Sequence, residues 1–307
     1  MMNLFDPDEF FPSIKATKVT VAGDFLLENR KLVDIYSPET LVFRDQQTDL
    51  FGASRVAKFL ADFGFNVSVV GIVNEDDSFF EIQEKLFTSG VNVQGLKTGL
   101  NLPSSVVERV ILDSKRLIEV FPATMAHTFD ITQHHSAVDS ALQESSGLII
   151  VDTPFASLTK RSMLGLIIRA SEMPTFSIVH AGSDFEKNSR YFQSKWVIGK
   201  RQDITKMLES CKLPAKSFQR DSLVSLADMI CSGGSVLMFE ANVAVTSIDG
   251  LAKTVELEID PLLAGAVFSS VVSAGYSLQQ ALTLACQCRI GIQPNNLIEA
   301  VGNLVTH

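Results

Sequence analysis

The sequence predicts an α/β domain: a central, mainly parallel sheet with helices on both faces and a small β lid. Three observations carry that reading. Short segments rich in Val, Ile and Leu alternate along the chain with segments whose apolar residues recur at helical spacing. Strand–helix–strand units of this length give parallel strands covered on both sides. Two further stretches alternate apolar and polar residues, the pattern of a half-exposed sheet standing off the main one.

Taken in order, Lys18–Ala22 is a short apolar strand ending at Gly23-Asp24. Residues 52–63 put Val56, Phe59, Leu60 and Phe63 on one helical stripe, and Gly64 closes that helix. Asn66–Gly71 is the next strand, Ser78 to Ser89 a helix, and Gly90-Val91-Asn92 the start of another strand. Leu148–Val151 reads as a core strand and Thr159–Ser171 as a helix. Thr175–Val179, Trp196–Ile198 and Ser235–Phe239 are further strands separated by helices. The half-exposed stretches are residues 30–50 and 103–121, and Leu112-Asp113-Ser114-Lys115 suggests a hairpin turn within the second. Such a sheet is a lid over a site or a dimerisation surface, and its apolar face needs a partner. By length alone 307 residues is about two domains' worth, though a single α/β domain can run that long.

Composition removes several function classes. Against 26 Lys and Arg stand 35 Asp and Glu, a net charge of −9. The pI near 5.1 argues against a nucleic-acid binder, which needs a basic face for phosphates. A mean hydropathy of +0.21 is high for a chain outside membranes. The longest charge-free run, Pro261 to Cys288, is cut by Ser269, Ser270, Ser273 and Gly275. It reads as two packed helices rather than a membrane span, which needs roughly 20 continuous apolar residues. The acidic N-terminus lacks the basic region of a signal peptide. Four cysteines make no disulfide framework at this length, so a cytoplasmic location is expected. Cys286-x-Cys288 points its side chains apart on a helix, and His127, His134 and His135 lack metal-ligand spacing, so no metal site is expected.

The residues at several points then fall into a known order. Gly23-Asp24-Phe-Leu-Leu-Glu28 is similar to a GDVMLD motif, Ser37-Pro38-Glu39 to SPEAPV, and Phe51-Gly52-Ala53-Ser54-Arg55-Val56-Ala57 to GGAANVA. Arg109–Val120 looks like a second lid hairpin, and Gly182-Ser183-Asp184-Phe185-Glu186 like GTDFE. Asp260-Pro261-Leu262-Leu263-Ala264-Gly265, followed by Gly275-Tyr276-Ser277-Leu278, is similar to a DxxxAG…GxSL helix pair. In that order the chain, over roughly residues 18–302, resembles the ribokinase or PfkB family of carbohydrate kinases, and most of all its heptose 7-phosphate kinase type. Each match is short; the shared order carries the resemblance.

The resemblance implies ATP-dependent phosphoryl transfer to a sugar or sugar-phosphate hydroxyl, with Mg²⁺ and ATP as cofactors in an active enzyme. It implies a single domain over residues 1–307, a sugar under the lid and a homodimer through the lid. An aspartate would take the hydroxyl proton, and amides of a Gly-Ala-Gly turn at a helix N-terminus would hold the transferring phosphate.

By that resemblance Asp260 is the candidate base, with the N-cap of the following helix as the alternative role. A second alignment frame, fixed on Gly275, puts Leu262 there instead. Asp24, Glu28, Gly52 and Arg55 are candidate sugar-site residues, and Lys200 and Gly265 candidate nucleotide-site residues. Lys115 and Arg116 are a phosphate contact or a plain surface turn. Arg55 stands where the family has a sugar-contacting Asn; it could bind a phosphate or carboxylate, or fill the pocket by pairing with Asp24 or Glu28. Departures cluster on the phosphate side. Leu257-Glu258-Ile259 replaces Gly-Ala-Gly, yet β-branched Ile259 is unsuited to positive φ and Glu258 adds negative charge. His180-Ala181-Gly182 and Phe239-Glu240-Ala241-Asn242 replace further nucleotide motifs.

Three functions follow: a kinase fold whose phosphotransfer is impaired or lost and which binds or dimerises, an active sugar kinase using Asp260, and a sugar-phosphate sensor without nucleotide. The first accounts best for losses at several separate nucleotide positions.

Overall fold

A computed structural model of the chain describes residues 4–37, 40–99, 105–112, 115–120, 135–153, 165–166, 168–170, 173, 175–180, 194–214, 220–231, 234–240, 243–248, 252–254 and 258–304. In chain order the elements are α1 (Pro7–Ala16), β1 (Lys18–Gly23), β2 (Phe25–Ser37), β3 (Thr40–Gly52), α2 (Ala53–Phe63), β4 (Asn66–Asn74), α3 (Asp77–Thr88) and β5 (Leu96–Gly99). Next come β6 (Val106–Leu112), β7 (Lys115–Val120), α4 (His135–Leu142), β8 (Gly147–Asp152), β9 (Thr175–His180) and β10 (Trp196–Lys200). The C-terminal part holds α5 (Arg201–Ser210), α6 (Arg220–Ile230), β11 (Ser235–Glu240), β12 (Val243–Thr246), β13 (Ala252–Thr254), α7 (Pro261–Ser273), α8 (Leu278–Ala285) and α9 (Pro294–Asn303).

The main sheet has the order β13-β12-β11-β10-β9-β8-β1-β4-β5. Its pairs from β11 to β5 are parallel, and only the β11–β12 and β12–β13 pairs are antiparallel. Alternation along each strand splits the core in two. Val19, Val21, Ile149, Val151, Ile198 and Leu237 pack with α1, α2, α7, α8 and α9. Their neighbours Leu148, Ile150, Ile178, Val197 and Val236 pack with α4, α5 and α6 on the other face. Successive side chains of a strand point to opposite faces, so strands buried on both sides must be apolar throughout.

The charge-free run folds as expected into the packed helices α7 and α8. Trp196 on β10 meets Phe268 on α7 edge to face, with ring centroids 4.8 Å apart. No helix among the described residues is long and apolar enough to cross a membrane.

The second sheet has the order β3-β2-β6-β7 and stands off the main one. Its strands β2 and β3 reach further than residues 30–50, starting at Phe25 and ending at Gly52. Leu112 pairs with Lys115 across the end of the β6–β7 hairpin, where the turn was expected; Asp113 and Ser114 lie outside the described residues.

Two expectations need correcting. Residues 90–92 make no strand: Asn92 forms one isolated bridge to Ser68, and the strand beside β4 is Leu96–Gly99. Helix α1 was not anticipated, although Asp6 caps it through Asp8 N and Pro7 occupies its first turn. Most of the helix expected over Thr159–Ser171 lies outside the described residues.

Candidate functional site

The site forms where β1, the lid root and two helix N-termini converge. At the end of β1, Gly23 has φ 146° and a Cβ there would lie 2.5 Å from the Val151 carbonyl oxygen, so only glycine allows β1 and β8 this approach. Asp24 follows, buried, and accepts a hydrogen bond from the Thr153 hydroxyl just beyond β8. The Asp24 carbonyl accepts from Ala53 N at 2.9 Å, drawing the start of α2 onto the end of β1. Gly52 before it has φ 64°, and a Cβ would lie 2.7 Å from that same carbonyl oxygen. Ser54 Oγ donates within reach of the carbonyls of Leu26 (2.7 Å) and Phe51 (2.6 Å), fixing α2 to the lid root.

Beneath the lid, one sheet face carries Glu28 and Arg30 from β2, Arg109 from β6 and Glu119 from β7. The register sets this: Glu28 is level with Val107, Arg30 with Arg109, and Arg109 with Glu119. Glu28, its side chain 2% exposed, pairs with Arg109 and, at 2.5–2.7 Å, with Arg30. Arg109 also donates to Glu119 at 2.7 Å and lies over the Phe51 ring of β3, 4.9 Å from its centroid. Three lid strands thus supply the charges of one cluster, whose two cations and two carboxylates balance, and β3 adds the Phe51 ring. Phe51, Leu26 and Val107 make a small apolar cluster next to it.

Asp260 is the N-cap of α7. Its Oδ1 accepts from Leu262 N at 3.1 Å and Leu263 N at 3.2 Å. Its Oδ2 accepts from Arg55 Nη2 at 2.6 Å, across 205 residues of sequence. The expected pairing of Arg55 with Asp24 or Glu28 is therefore corrected: Asp24 is engaged by Thr153 and Glu28 by two other arginines, which leaves the Asp260 carboxylate for Arg55. The cap geometry is present at Asp260, whereas Leu262 of the alternative frame sits inside the first turn.

The turn before α7 is held as a short bridge. Ile259 pairs with Arg289, Asp260 N donates to the Cys288 carbonyl at 2.7 Å, and Ile290 N donates to the Glu258 carbonyl at 3.2 Å. Ile259 is buried in the core, and Glu258 is exposed. Among the described residues only Glu144 and Lys212 are non-glycines at positive φ, so Ile259 does not adopt the backbone a glycine there would allow. Leu257 lies outside the described residues. Cys288, fully buried behind the cap, has its thiol pushed well above the ordinary range by burial, then by the nearby Asp260 charge.

The two nucleotide-site candidates are apart from this cluster. Gly265 faces the sheet: a Cβ there would lie 2.9 Å from Ile198 and 3.2 Å from Val179, so the glycine lets α7 press on β9 and β10. Lys200 is exposed at the N-cap of α5, and its neighbour Arg201 pairs with Glu240. Residues 181–193 and 241–242, which carry the other motif positions, lie outside the described residues, as do His127 and His134. Among the described residues there is no group of three or more His, Cys, Asp or Glu that could hold a metal ion.

Arg109 and Thr153 were not picked out from the sequence. Arg109 was detectable only with the β2–β6 register in hand; Thr153 sits just past the end of a core strand, a position that in parallel sheets faces the ligand crevice.

With this geometry established, the chain can be classed: its fold is ribokinase-like, a large mostly parallel sheet with a four-stranded lid. It superposes on ribokinase from Cryptococcus neoformans, in complex with ADP, with a TM-score of 0.69 at 14% identity over 94% of this chain and 99% of that one. The phosphofructokinase-2 of Escherichia coli in complex with fructose-6-phosphate gives 0.70 at 11% identity, over 93% and 97%. By sequence the chain is 25% identical over 178 residues to the bifunctional protein HldE of Nitratiruptor sp., and 29% identical over 149 residues to that of Helicobacter hepaticus. These matches cover 55% and 45% of this chain but 37% and 30% of the relatives, so the chain spans well under half of their length. No family model matches the chain.

Proposed function

We propose that this is a carbohydrate kinase-like protein of PfkB type in which phosphoryl transfer from ATP to a sugar hydroxyl is impaired or lost, and which acts by binding and self-association. The observation that carries it is the state of Asp260, whose two carboxylate oxygens are both committed. In the transfer reaction the acceptor hydroxyl attacks the γ-phosphorus, ADP leaves, and the hydroxyl proton passes to a carboxylate. While the Arg55 pair stands, neither oxygen of Asp260 is unengaged, so the carboxylate could take that proton only after the pair opens. The α7 N-terminus also fits a triphosphate poorly. The amides of Leu262 and Leu263 are taken by Asp260, Glu258 adds negative charge beside them, and Ile259 gives the turn a side chain instead of backbone access. The chain as a single domain in the cytosol, dimeric through its lid, completes this reading.

The test is calorimetric titration with Mg-ATP, combined with a coupled ADP-release assay using heptose 7-phosphate, fructose 6-phosphate and ribose. The expected result is no turnover with any acceptor. ATP binding below millimolar concentration, with turnover abolished by Asp260→Asn, would overturn it.

A second reading, an active kinase acting on a heptose-phosphate-like sugar with Mg²⁺ and ATP, is favoured by one observation. Asp24 and Gly52 meet where β1 ends and α2 begins, at positions where the resemblance expects the sugar, and the HldE proteins are sequence relatives. The sugar-phosphate sensor without nucleotide is the outcome in which acceptor sugars bind and ATP does not.

A further inference from the structure

We infer that the Arg55–Asp260 pair is a displaceable lock, and that its key is the anionic group of a small polyol ligand, a phosphate ester or a carboxylate. This rests on the reading of the crevice as a modified sugar site, and adds the ligand class and the contact that ligand must exchange.

The pair is lopsided. The Asp260 side chain is 10% exposed and anchored by two backbone amides, whereas the Arg55 side chain is 37% exposed. Among the described residues, the bond from Nη2 to Asp260 is the one hydrogen bond of the Arg55 guanidinium. Nη2 carries one hydrogen on each edge of the planar fork, so an oxyanion that takes either edge, Nε with Nη2 or Nη1 with Nη2, must share Nη2 with Asp260. The two arginines of the lid cluster are not available in this way: Arg30 is held by Glu28, and Arg109 by Glu28 and Glu119. A partly exposed ion pair is weak enough to be exchanged for a second anion. When an oxyanion binds Arg55, the guanidinium's charge is shared and its hold on Asp260 Oδ2 loosens. Asp260 and the ligand therefore compete for one cation. The cap bonds at Oδ1 are untouched, so α7 stays in place as the lock opens.

Competition predicts responses of opposite sign. Binding is measured by calorimetry without nucleotide, so the outcome is independent of whether the chain turns over ATP. The probes are inorganic phosphate, fructose 6-phosphate and gluconate, with fructose as the neutral control. Native protein is expected to bind at least one anion saturably and fructose more weakly. Arg55→Gln should weaken anion binding by about tenfold or more. Asp260→Asn, which keeps an N-capping side chain, should tighten it about three- to tenfold by removing the competitor. The double variant should match Arg55→Gln alone, the non-additivity expected of two groups sharing one contact. Preference for fructose 6-phosphate or for gluconate identifies the anion's source, and either supports the lock. Four results would overturn it: no anion bound at about 10 mM, fructose bound as tightly as fructose 6-phosphate, Arg55→Gln without effect, or Asp260→Asn failing to tighten binding.

Discussion

Arg109 lies over the ring of Phe51, 4.9 Å from its centroid, while its guanidinium ties the buried carboxylate of Glu28 to Glu119. One side chain thereby joins β6 to β2, β3 and β7, and holds the lid's charged face together at its root. The cluster lies on one face of this sheet, where its two cations and two carboxylates pair with one another.

Removing that arginine should cost stability. Arg109→Met keeps the length and apolar stem but leaves Glu28, 2% exposed, paired with Arg30 alone. Stripping a partner from a buried carboxylate typically costs about 3–5 kcal/mol, and the partial exposure of this pair brings the expectation to about 2–4 kcal/mol in urea unfolding. Glu28→Gln in the same chain should recover part of that loss, because no bare charge then remains. Equal stability of Arg109→Met and native protein would show that the cluster holds nothing.

Asp260 offers a separation of cap from charge. Asp260→Ala removes two amide contacts and should destabilise by about 1 kcal/mol, whereas Asp260→Asn keeps a capping oxygen and should change stability by a few tenths. The urea midpoints of the two variants decide it. A large loss in the Asn variant would mean that the Arg55 pairing, not the cap, holds the α7 N-terminus.

The turn before α7 cannot simply revert to glycine. Ile259 is buried in the core and bridges Arg289, so its side chain is now part of the packing. Ile259→Ala should cost about 2–4 kcal/mol by removing buried methylenes. A near-neutral effect would mean the turn has room to collapse once the side chain is removed.

Cys231 gives the fold a pH signature. Burial is the main cause that pushes its thiol up to about 12, with a Ser194 hydrogen bond opposing and Asp228 adding to it. The folded state keeps this proton while the unfolded chain loses it near pH 8.5. The stability it contributes is therefore full below about pH 8.5 and is lost as pH rises toward about 12, by up to about 1.4 kcal/mol per pH unit. Urea midpoints between pH 8.5 and 10 should fall less steeply for Cys231→Ala than for native protein. Parallel slopes would contradict the burial.

Sequence patterning was enough for the strands buried on both faces, because continuous Val, Ile and Leu runs between helical segments leave few alternatives. The lid was readable from alternation, and Asp260 from its place before an apolar helix with Pro261. What alternation could not supply was register. The pairing of β2 with β6 is parallel and joins residues about 79 positions apart, as Glu28 and Val107 are, so the meeting of Glu28 with Arg109 has no local sign. The same holds for Arg55, whose partner lies 205 residues away on another helix. Helix α1 has a local sign of another kind: Asp6-Pro7 is a cap followed by a first-turn proline, but its apolar residues Phe10 and Ile14 are too few to mark a helical stripe without the core they pack into.

The outer face of the lid is the remaining test of the self-association in the proposed function. Ile35 and Leu41 are cross-strand partners, as are Val33 and Phe43, and Ile118 pairs with Val110. Following the register across β2 and β6 puts Ile35, Leu41, Phe43, Ile118 and Val120 on the face opposite Glu28, all exposed. The same face carries the bonded polar group of Asn29, Lys31, Thr48 and Glu108, which divides the apolar residues into the β2–β3 tip and β7. Exposed apolar patches of this kind are costly to leave in water, and a second lid presents the same surface in return. Native protein should therefore sediment as a dimer at micromolar concentration. Phe43→Asp and Ile118→Asp, each placing a charge in the shared face, should weaken association by about 100-fold or more, because an unpaired charge would be desolvated there. Val42→Asp is the control, since Val42 pairs with Asp34 on the other face and its substitution should leave the dimer intact. A monomeric native chain, or a dimer indifferent to Phe43→Asp and Ile118→Asp, would remove the lid from the account of self-association.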